Sequence, residues 1–362
     1  MIKLFKNLVL FYVSFSLMAL PIESLAAQKK SEKRVHTSQK TKLSKTGVSS
    51  RLRSKSSRVK RIHYKQRNAP AFTQSQYLAA DRYDGSSMLQ LASAKALIIN
   101  QNTGEVVYAK NTNAPTPIAS ITKLMTAMVM LDAQLSLDET LTITEGDVDY
   151  LKGTSSRLKV GAELSRSDML QLALMASENR AASALSRYYP GGRYAFIKAM
   201  NAKAIQLGMS NTTFLDSTGL NSGNVSTAED LVKMVAAAYQ YPEIRMASTS
   251  PSHEVYVNGH TYAVNFNNTN GLVRAGQWQI GLSKTGYISE AGRCLVMQAQ
   301  IAGQPMIIVL LDSNGKMTRI GDANRVRKWM EYNSESNVTT TGQVDALKLK
   351  PPPNEERVGR IS

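Results

Sequence analysis

Ile118-Ala119-Ser120-Ile121-Thr122-Lys123-Leu124-Met125-Thr126-Ala127-Met128-Val129-Met130-Leu131 is the stretch around which the rest of this chain organises. From Ile121 onward it is apolar on nearly every face of a helix, which predicts a helix buried in the centre of a domain. Pro115 and Pro117 precede it, and Ser120 stands at its predicted N-terminus. Three residues nearly complete a helical turn, so Lys123 shares a face with Ser120 in otherwise apolar surroundings.

Upstream, Ala96-Leu97-Ile98-Ile99 and Val106-Val107-Tyr108 flank Asn102-Thr103-Gly104 and read as two strands joined by a turn. Downstream, helices are predicted at Asp168 to Met175, Arg180 to Tyr188, Arg193 to Leu207 and Thr227 to Tyr239, some opening on Ser, Thr or Asp. Strand patterns return at Gln279 to Tyr287, Cys294 to Ile301 and Met306 to Leu311, an antiparallel meander broken at Gly292 and Ala302-Gly303-Gln304. Ile320, Ala323, Val326 and Met330 recur at helical spacing, so a closing helix packs back on the sheet. The predicted class is α+β: an antiparallel sheet of about five strands, helices on both sides, and a helical subdomain inserted after the first hairpin.

Three short motifs occur in order: Ser120-Ile121-Thr122-Lys123, Ser177-Glu178-Asn179 and Lys284-Thr285-Gly286. Burial penalises the Lys123 ammonium, and the positive charge of Lys284 pushes the same way, so a neutral Lys123 amine can take the proton of a nucleophilic Ser120. A helix start leaves backbone N–H groups unpaired, so the Ser120 amide can help hold an oxyanion, with the amide of Tyr287 as the expected second donor. Ser177 and Asn179 are placed in a bend between two helices. There Ser177 can relay a proton to a leaving amine, and Asn179 can bond Lys123 or the substrate backbone. Lys284 and Thr285 offer a cation and a hydroxyl to a substrate carboxylate or amide from an edge strand, while Gly286 removes a side chain that would block approach. A peptide can then pair with that edge as an added strand.

Each motif is weak alone. Ser57, Ser156 and Ser313 also have Lys three residues on, Ser222-Gly223-Asn224 repeats the second pattern, and Lys45-Thr46-Gly47 repeats the third. Lys45-Thr46-Gly47 lies in the basic segment ahead of any candidate nucleophile, Ser156 sits in no helical pattern shortly before Ser177, and Ser313 follows the final strand beside Gly315, so these are read as incidental. His36 and His63 fall in a basic segment and His253 and His260 in a polar stretch, which leaves no His or Cys cluster at metal-ligand spacing and no supply for a Ser-His-Asp triad.

With these motifs in place, Ala92 to Trp329 resembles the D-alanyl-D-alanine carboxypeptidase and endopeptidase family of low-molecular-mass penicillin-binding proteins. The similarity extends to Leu151-Lys152-Gly153-Thr154-Ser155-Ser156-Arg157-Leu158, to Arg180-Ala181-Ala182 after the second motif, and to Tyr189-Pro190-Gly191-Gly192-Arg193. These stretches, and Glu178 within the second motif, look like the penicillin-binding protein 7 type of endopeptidase. The resemblance implies a β-lactamase/transpeptidase-like fold and an acyl-enzyme on Ser120. It implies Lys123 as proton acceptor, Ser177 as its partner, and Lys284 in binding peptidoglycan peptides. It also implies covalent inhibition by β-lactam antibiotics and no metal or organic cofactor. Arg319 is a further candidate to contact a substrate carboxylate.

The ends read differently from the middle. Residues 1–26 open with Lys3 and Lys6, run uncharged from Asn7 to Ile22 and reach Ser24-Leu25-Ala26, the pattern of a cleavable secretory signal. Residues 27–80 form a basic arm; between 29 and 67 lie 15 Lys or Arg against the single acid Glu32, so most of the formal net charge of +17 belongs to this Ser-rich stretch. It has too few large apolar residues to bury a core and is expected to be disordered. Its charge suits electrostatic contact with an anionic envelope surface, and export argues against nucleic acid as the partner. Residues 81–335 are the expected peptidase domain, and 336–362, with Pro351-Pro352-Pro353, an expected disordered tail without an amphipathic anchor. A periplasmic enzyme, soluble or peripherally bound to the envelope, follows from these expectations. Cys294, the only cysteine, is expected as a buried core thiol.

Three rival readings differ in consequence. A class A β-lactamase needs a Glu some tens of residues past the second motif to release its acyl-enzyme, and no Glu occurs between Asn179 and Ala228. A non-catalytic wall-binding protein has no use for intact Ser120, Lys123, Ser177 and Lys284. Carboxypeptidase and endopeptidase differ only in the leaving group, on which the motifs are silent; the subgroup resemblance favours endopeptidase.

Overall fold

A computed structural model of the chain describes residues 88–259 and 263–348. The segments read as signal and basic arm, residues 1–26 and 27–80, lie outside the described residues, as does His260.

The strands in chain order are β1 (Lys95–Asn100), β2 (Val106–Lys110), β3 (Thr116–Pro117), β4 (Thr140–Thr142), β5 (Glu163–Ser165), β6 (Val225–Ser226), β7 (Ser252–Val255), β8 (Val264–Asn267), β9 (Gln279–Ile288), β10 (Gly292–Ile301) and β11 (Gln304–Ser313). The helices are α1 (Lys123–Asp132), α2 (Arg166–Met175), α3 (Asn179–Arg187), α4 (Gly192–Gln206), α5 (Ala228–Ala238), α6 (Pro242–Thr249), α7 (Gly271–Ala275) and α8 (Thr318–Lys348). Five strands form one antiparallel sheet in the order β2-β1-β11-β10-β9, which leaves β9 and its Lys284-Thr285-Gly286 on an edge.

The central strands are apolar without alternation because both faces of the sheet are covered. Leu97, Val296, Ile307, Val309 and Leu311 face the helical block, where they share one core with Ile121, Leu124 and Met128 of the nucleophile segment. The residues between them, Ile98, Leu295, Met297, Ile308 and Leu310, face the other way and pack on Ala323, Val326 and Met330 of α8. Adjacent positions thus serve opposite cores, as the period of two requires. Helix α1 is buried along nearly its whole length, from Lys123 to Met130.

Two local features depart from the sequence reading. Helix α8 continues to Lys348, so the described part of 336–362 is helical where a disordered tail was expected. Once a packed turn exists, each added residue gains one backbone hydrogen bond without needing an apolar stripe, and periodicity is silent about such extension. Between α5 and β9 the chain also forms α6, the β7–β8 hairpin and α7. These are short and polar, and give periodicity little to detect.

Candidate active site

The nucleophile segment enters through a single turn of 3-10 helix, Ala119–Thr122, that runs directly into α1. Ala119 holds φ +48°, a left-handed conformation that non-glycine residues rarely adopt, and it turns the chain from β3 into the helix. Two glycines make room for this turn. A Cβ on Gly219, whose φ is +83°, would meet Ala119 O at 1.9 Å and Ser120 N at 2.8 Å. A Cβ on Gly286 would lie 3.1 Å from Ser120 N, so the third motif passes the nucleophile at backbone contact distance.

Lys123 is 1 % exposed. Its Nζ has three oxygen neighbours: Ser120 Oγ at 2.8 Å, Asn179 Oδ1 at 2.7 Å and Thr218 O at 2.6 Å. Burial lowers its pKa to about 7, against the opposing charges of Asp216 and Glu178. An amine that titrates near neutrality can both take a proton from a hydroxyl and return it. Glu178, the middle residue of the second motif, is itself buried, and burial pushes its carboxyl up while Ser156, Lys123 and Arg157 pull it back.

Ser177 sits in the bend between α2 and α3 at φ +60°. Its Oγ accepts from Lys284 Nζ at 2.8 Å; the same amine donates to Thr285 O at 3.0 Å. Lys284 is held well below the ordinary lysine range by burial first, then by the charges of Lys123 and Arg319. Ser177 is therefore joined to Lys284, whereas Asn179 is the second-motif residue bonded to Lys123. The Thr285 hydroxyl donates to Thr269 Oγ1 at 2.6 Å, and Thr269 N binds Met175 O at 3.0 Å, which ties β9 to the bend that carries Ser177. Tyr287 follows Gly286 on the edge strand, its ring exposed and covered on one side by Arg293, 4.4 Å from the centroid. Arg319, at the start of α8, has Nε and Nη1 buried without a hydrogen-bond partner.

The structure thus brings Ser120, Lys123, Ser177, Asn179, Lys284, Thr285 and Gly286 into one site. Of the incidental matches, Ser313 Oγ pairs with Ser93 Oγ at 2.7 Å, Ser156 Oγ closes a turn on Leu158 N at 3.0 Å beside Glu178, and Ser57 and Lys45-Thr46-Gly47 lie outside the described residues. Cys294 is buried opposite Gly286, and burial pushes its thiol up to about 11.

Sequence reading missed a third wall. Asp216 accepts from the amides of Thr218 (2.7 Å), Gly219 (2.6 Å) and Asn221 (2.7 Å). Asn224, fully buried, donates to Thr122 Oγ1 at 3.0 Å and accepts from Leu215 N at 2.7 Å. The only local signal is the spacing of Asp, Gly and Asn in Asp216 to Asn224, which marks a turn and nothing about its neighbour.

The match to the D-alanyl-D-alanine carboxypeptidase family covers residues 82–315. The chain is 50% identical over 258 residues to a D-alanyl-D-alanine endopeptidase of Pseudomonas aeruginosa, covering 71% of this chain and 80% of that one. It is 49% identical over 246 residues to a D-alanyl-D-alanine endopeptidase of Escherichia coli, covering 68% and 79%. Among solved structures, a Streptomyces DD-transpeptidase superposes with a TM-score of 0.63 at 30% identity, covering 67% of this chain and 98% of that one. A shared fold, half identity to two relatives, and a Ser-Lys pair at the head of a buried helix converge: the chain belongs to the D-alanyl-D-alanine carboxypeptidase family of serine peptidases.

Proposed function

We propose that this chain is an exported D-alanyl-D-alanine endopeptidase that opens peptidoglycan cross-links through an acyl-enzyme on Ser120. The observation that carries the chemistry is the buried Lys123 amine, 2.8 Å from Ser120 Oγ and titrating near neutrality. The neutral amine takes the Ser120 proton as Oγ attacks the D-Ala carbonyl carbon, and the backbone N–H groups of Ser120 and Tyr287 hold the oxyanion. Ser177, fed by Lys284, protonates the leaving amine as the C–N bond breaks. Water then adds to the ester carbonyl and gives up a proton that restores the Ser177–Lys284 pair, while Lys123 returns its proton to Ser120 Oγ as the ester C–O bond breaks. Lys284, Asn179, Thr285 and Gly286 bind the peptide along the β9 edge, where added-strand pairing is open to it. The two unpartnered nitrogens of Arg319 suit a substrate carboxylate. A β-lactam enters as a carbonyl acceptor for the same Ser120 and leaves slowly, consistent with the lack of any Glu between Asn179 and Ala228.

Cross-link cleavage is favoured over removal of a terminal D-Ala because both relatives near half identity bear the endopeptidase name. The N-terminal signal pattern supports a periplasmic location, and the basic segment supports contact with anionic envelope surfaces. Among the described residues no helix is long and apolar enough to cross a membrane. The test is incubation with cross-linked muropeptide dimers and with pentapeptide monomers, beside Ser120→Ala, with products read by mass spectrometry. Conversion of dimers to monomers only with Ser120 intact is the expected result. Loss of terminal D-Ala alone would make the enzyme a carboxypeptidase, and no turnover of either would leave a wall-binding protein.

A further inference from the structure

Lys123 must do more than lose its charge; its lone pair must face the proton of Ser120. A neutral amine has two hydrogens and one lone pair, and Nζ has three oxygen neighbours. Two of them, Thr218 O and Asn179 Oδ1, are carbonyl oxygens that carry no proton. If both stay in place, each takes one hydrogen, and the lone pair is left facing the only neighbour with a proton to give, Ser120 Oγ. The direction of proton transfer is then set by whatever keeps those two carbonyls where they are.

We propose that Asp149 and Asp216 are the positioning residues that aim Lys123 at Ser120, each fixing one of its two carbonyl acceptors. This rests on Lys123 being the proton acceptor of the preceding reading. Asp216 works through the Thr218–Gly219 peptide. Its Oδ1 accepts Gly219 N at 2.6 Å, and in a trans peptide the carbonyl points opposite to the N–H. Holding Gly219 N–H from one side therefore directs Thr218 O to the other, where it meets Lys123 at 2.6 Å. The further bonds to Thr218 N and Asn221 N stop the turn from rotating, and the close fit of Gly219 under Ala119 stops it from backing away.

Asp149 works through Thr154. The Thr154 hydroxyl spends its single proton on Asp149 Oδ2 at 2.7 Å, so it can only accept from Asn179 Nδ2, at 3.0 Å. The planar amide then presents Oδ1 to Lys123. Asp149 is itself pinned by the amides of Leu151 and Lys152, both at 2.9 Å, and of Thr154. Asn179, Thr218 and both aspartates line the same open cleft.

The two arms differ in charge. Asp216 and Glu178 act on Lys123 directly by their charges, and the charge of Lys123 in turn pushes down Lys284 on β9. Asp149 is not among the groups that shift Lys123. The test is the rate of covalent acylation by a fluorescent penicillin, followed from about pH 5 to about pH 9 on the full chain. Thermal unfolding accompanies it, and mass spectrometry locates the adduct on Ser120. Asp149→Asn and Thr154→Val should lower the plateau roughly 10- to 100-fold with the acid limb unmoved. Asp216→Asn should lower the plateau and move the acid limb to lower pH, because a charge that favours protonated Lys123 is lost. Folded variants with a wild-type plateau overturn the proposal. Thr154→Val alters only the hydroxyl and keeps the test open should an aspartate variant unfold. If wild type is not acylated on Ser120, the prior reading fails instead.

Discussion

Gly219 lies against Ala119 so closely that a methyl group on it would come within 1.9 Å of the Ala119 carbonyl oxygen. The contact joins two left-handed residues, at φ +83° and +48°, one in the Asp216–Asn224 turn and one immediately before the nucleophile. Gly219→Ala meets backbone on one side and an unfavourable φ on the other. We expect it to destabilise the fold by about 2 to 5 kcal/mol in urea unfolding. Any folded fraction should be acylated slowly, since relief of the clash displaces Ser120 or Thr218. A variant as stable as wild type would show that the turn has room to move.

The pH dependence of acylation should follow Lys123. Its pKa of about 7 in the fold, against 10.5 unperturbed, predicts a rate that rises with pH through about 7 as the amine loses its proton. Stability carries the matching sign. The unfolded chain binds the Lys123 proton up to about 10.5 and the fold only to about 7, so this group favours the fold increasingly as pH rises between them. Lys123→Arg keeps the charge and cannot release it, so acylation on the plateau above about pH 8 should fall by about 10²- to 10⁴-fold and the acid limb should vanish. An acid limb unchanged in that variant would assign the titration to another group.

How far the sequence was legible depends on what kind of signal each part leaves. The sheet and α1 show in composition because both faces are buried: Leu295-Val296-Met297 and Ile307-Ile308-Val309 are apolar whichever core they meet. The motif residues were legible because Ser120 and Lys123 are one turn apart on one element. Asp216 and Asn224 were not, because they act through backbone groups, and nothing in a turn's composition says which carbonyl it presents. Ser222-Gly223-Asn224 reads as no more than a repeat of the second motif's pattern, yet its Asn224 is fully buried and bonded to Thr122. The partnership of Ser177 with Lys284, too, needs the β9 edge and the α2–α3 bend brought together, 107 residues apart in the chain.

Asp322 joins the two ends of the domain. It is fully buried on α8 and accepts from Ala92 N at 3.0 Å, Ser93 N at 2.7 Å and Ser93 Oγ at 2.5 Å, with Arg325 as its ion-pair partner. Asp322→Ala strands the Ser93 amide and leaves Arg325 without its acid, and we expect a loss of about 3 kcal/mol, measured as a lowered unfolding midpoint. Ser120, Lys123 and Ser177 stand on the turn into α1, on α1 and in the α2–α3 bend, and none of them touches Asp322, so the folded variant should still be acylated. A midpoint equal to wild type would mean that water replaces the carboxylate.

Ser177 and Lys284 should separate the two halves of the reaction from the Ser120–Lys123 pair. Ser177 Oγ takes its hydrogen bond from Lys284, so its own proton is free for a leaving group. A peptide amine leaves poorly without that proton, whereas the strained ring of a β-lactam opens with less need of it. Ser177→Ala should therefore cut turnover of cross-linked peptide by about 10²- to 10⁴-fold and penicillin acylation by less. Lys284→Gln loses the amine that bonds Ser177 Oγ and Thr285 O at the β9 edge, and should slow both substrates. Equal losses for peptide and penicillin in Ser177→Ala would place Ser177 in the attack step instead, as a partner of Lys123.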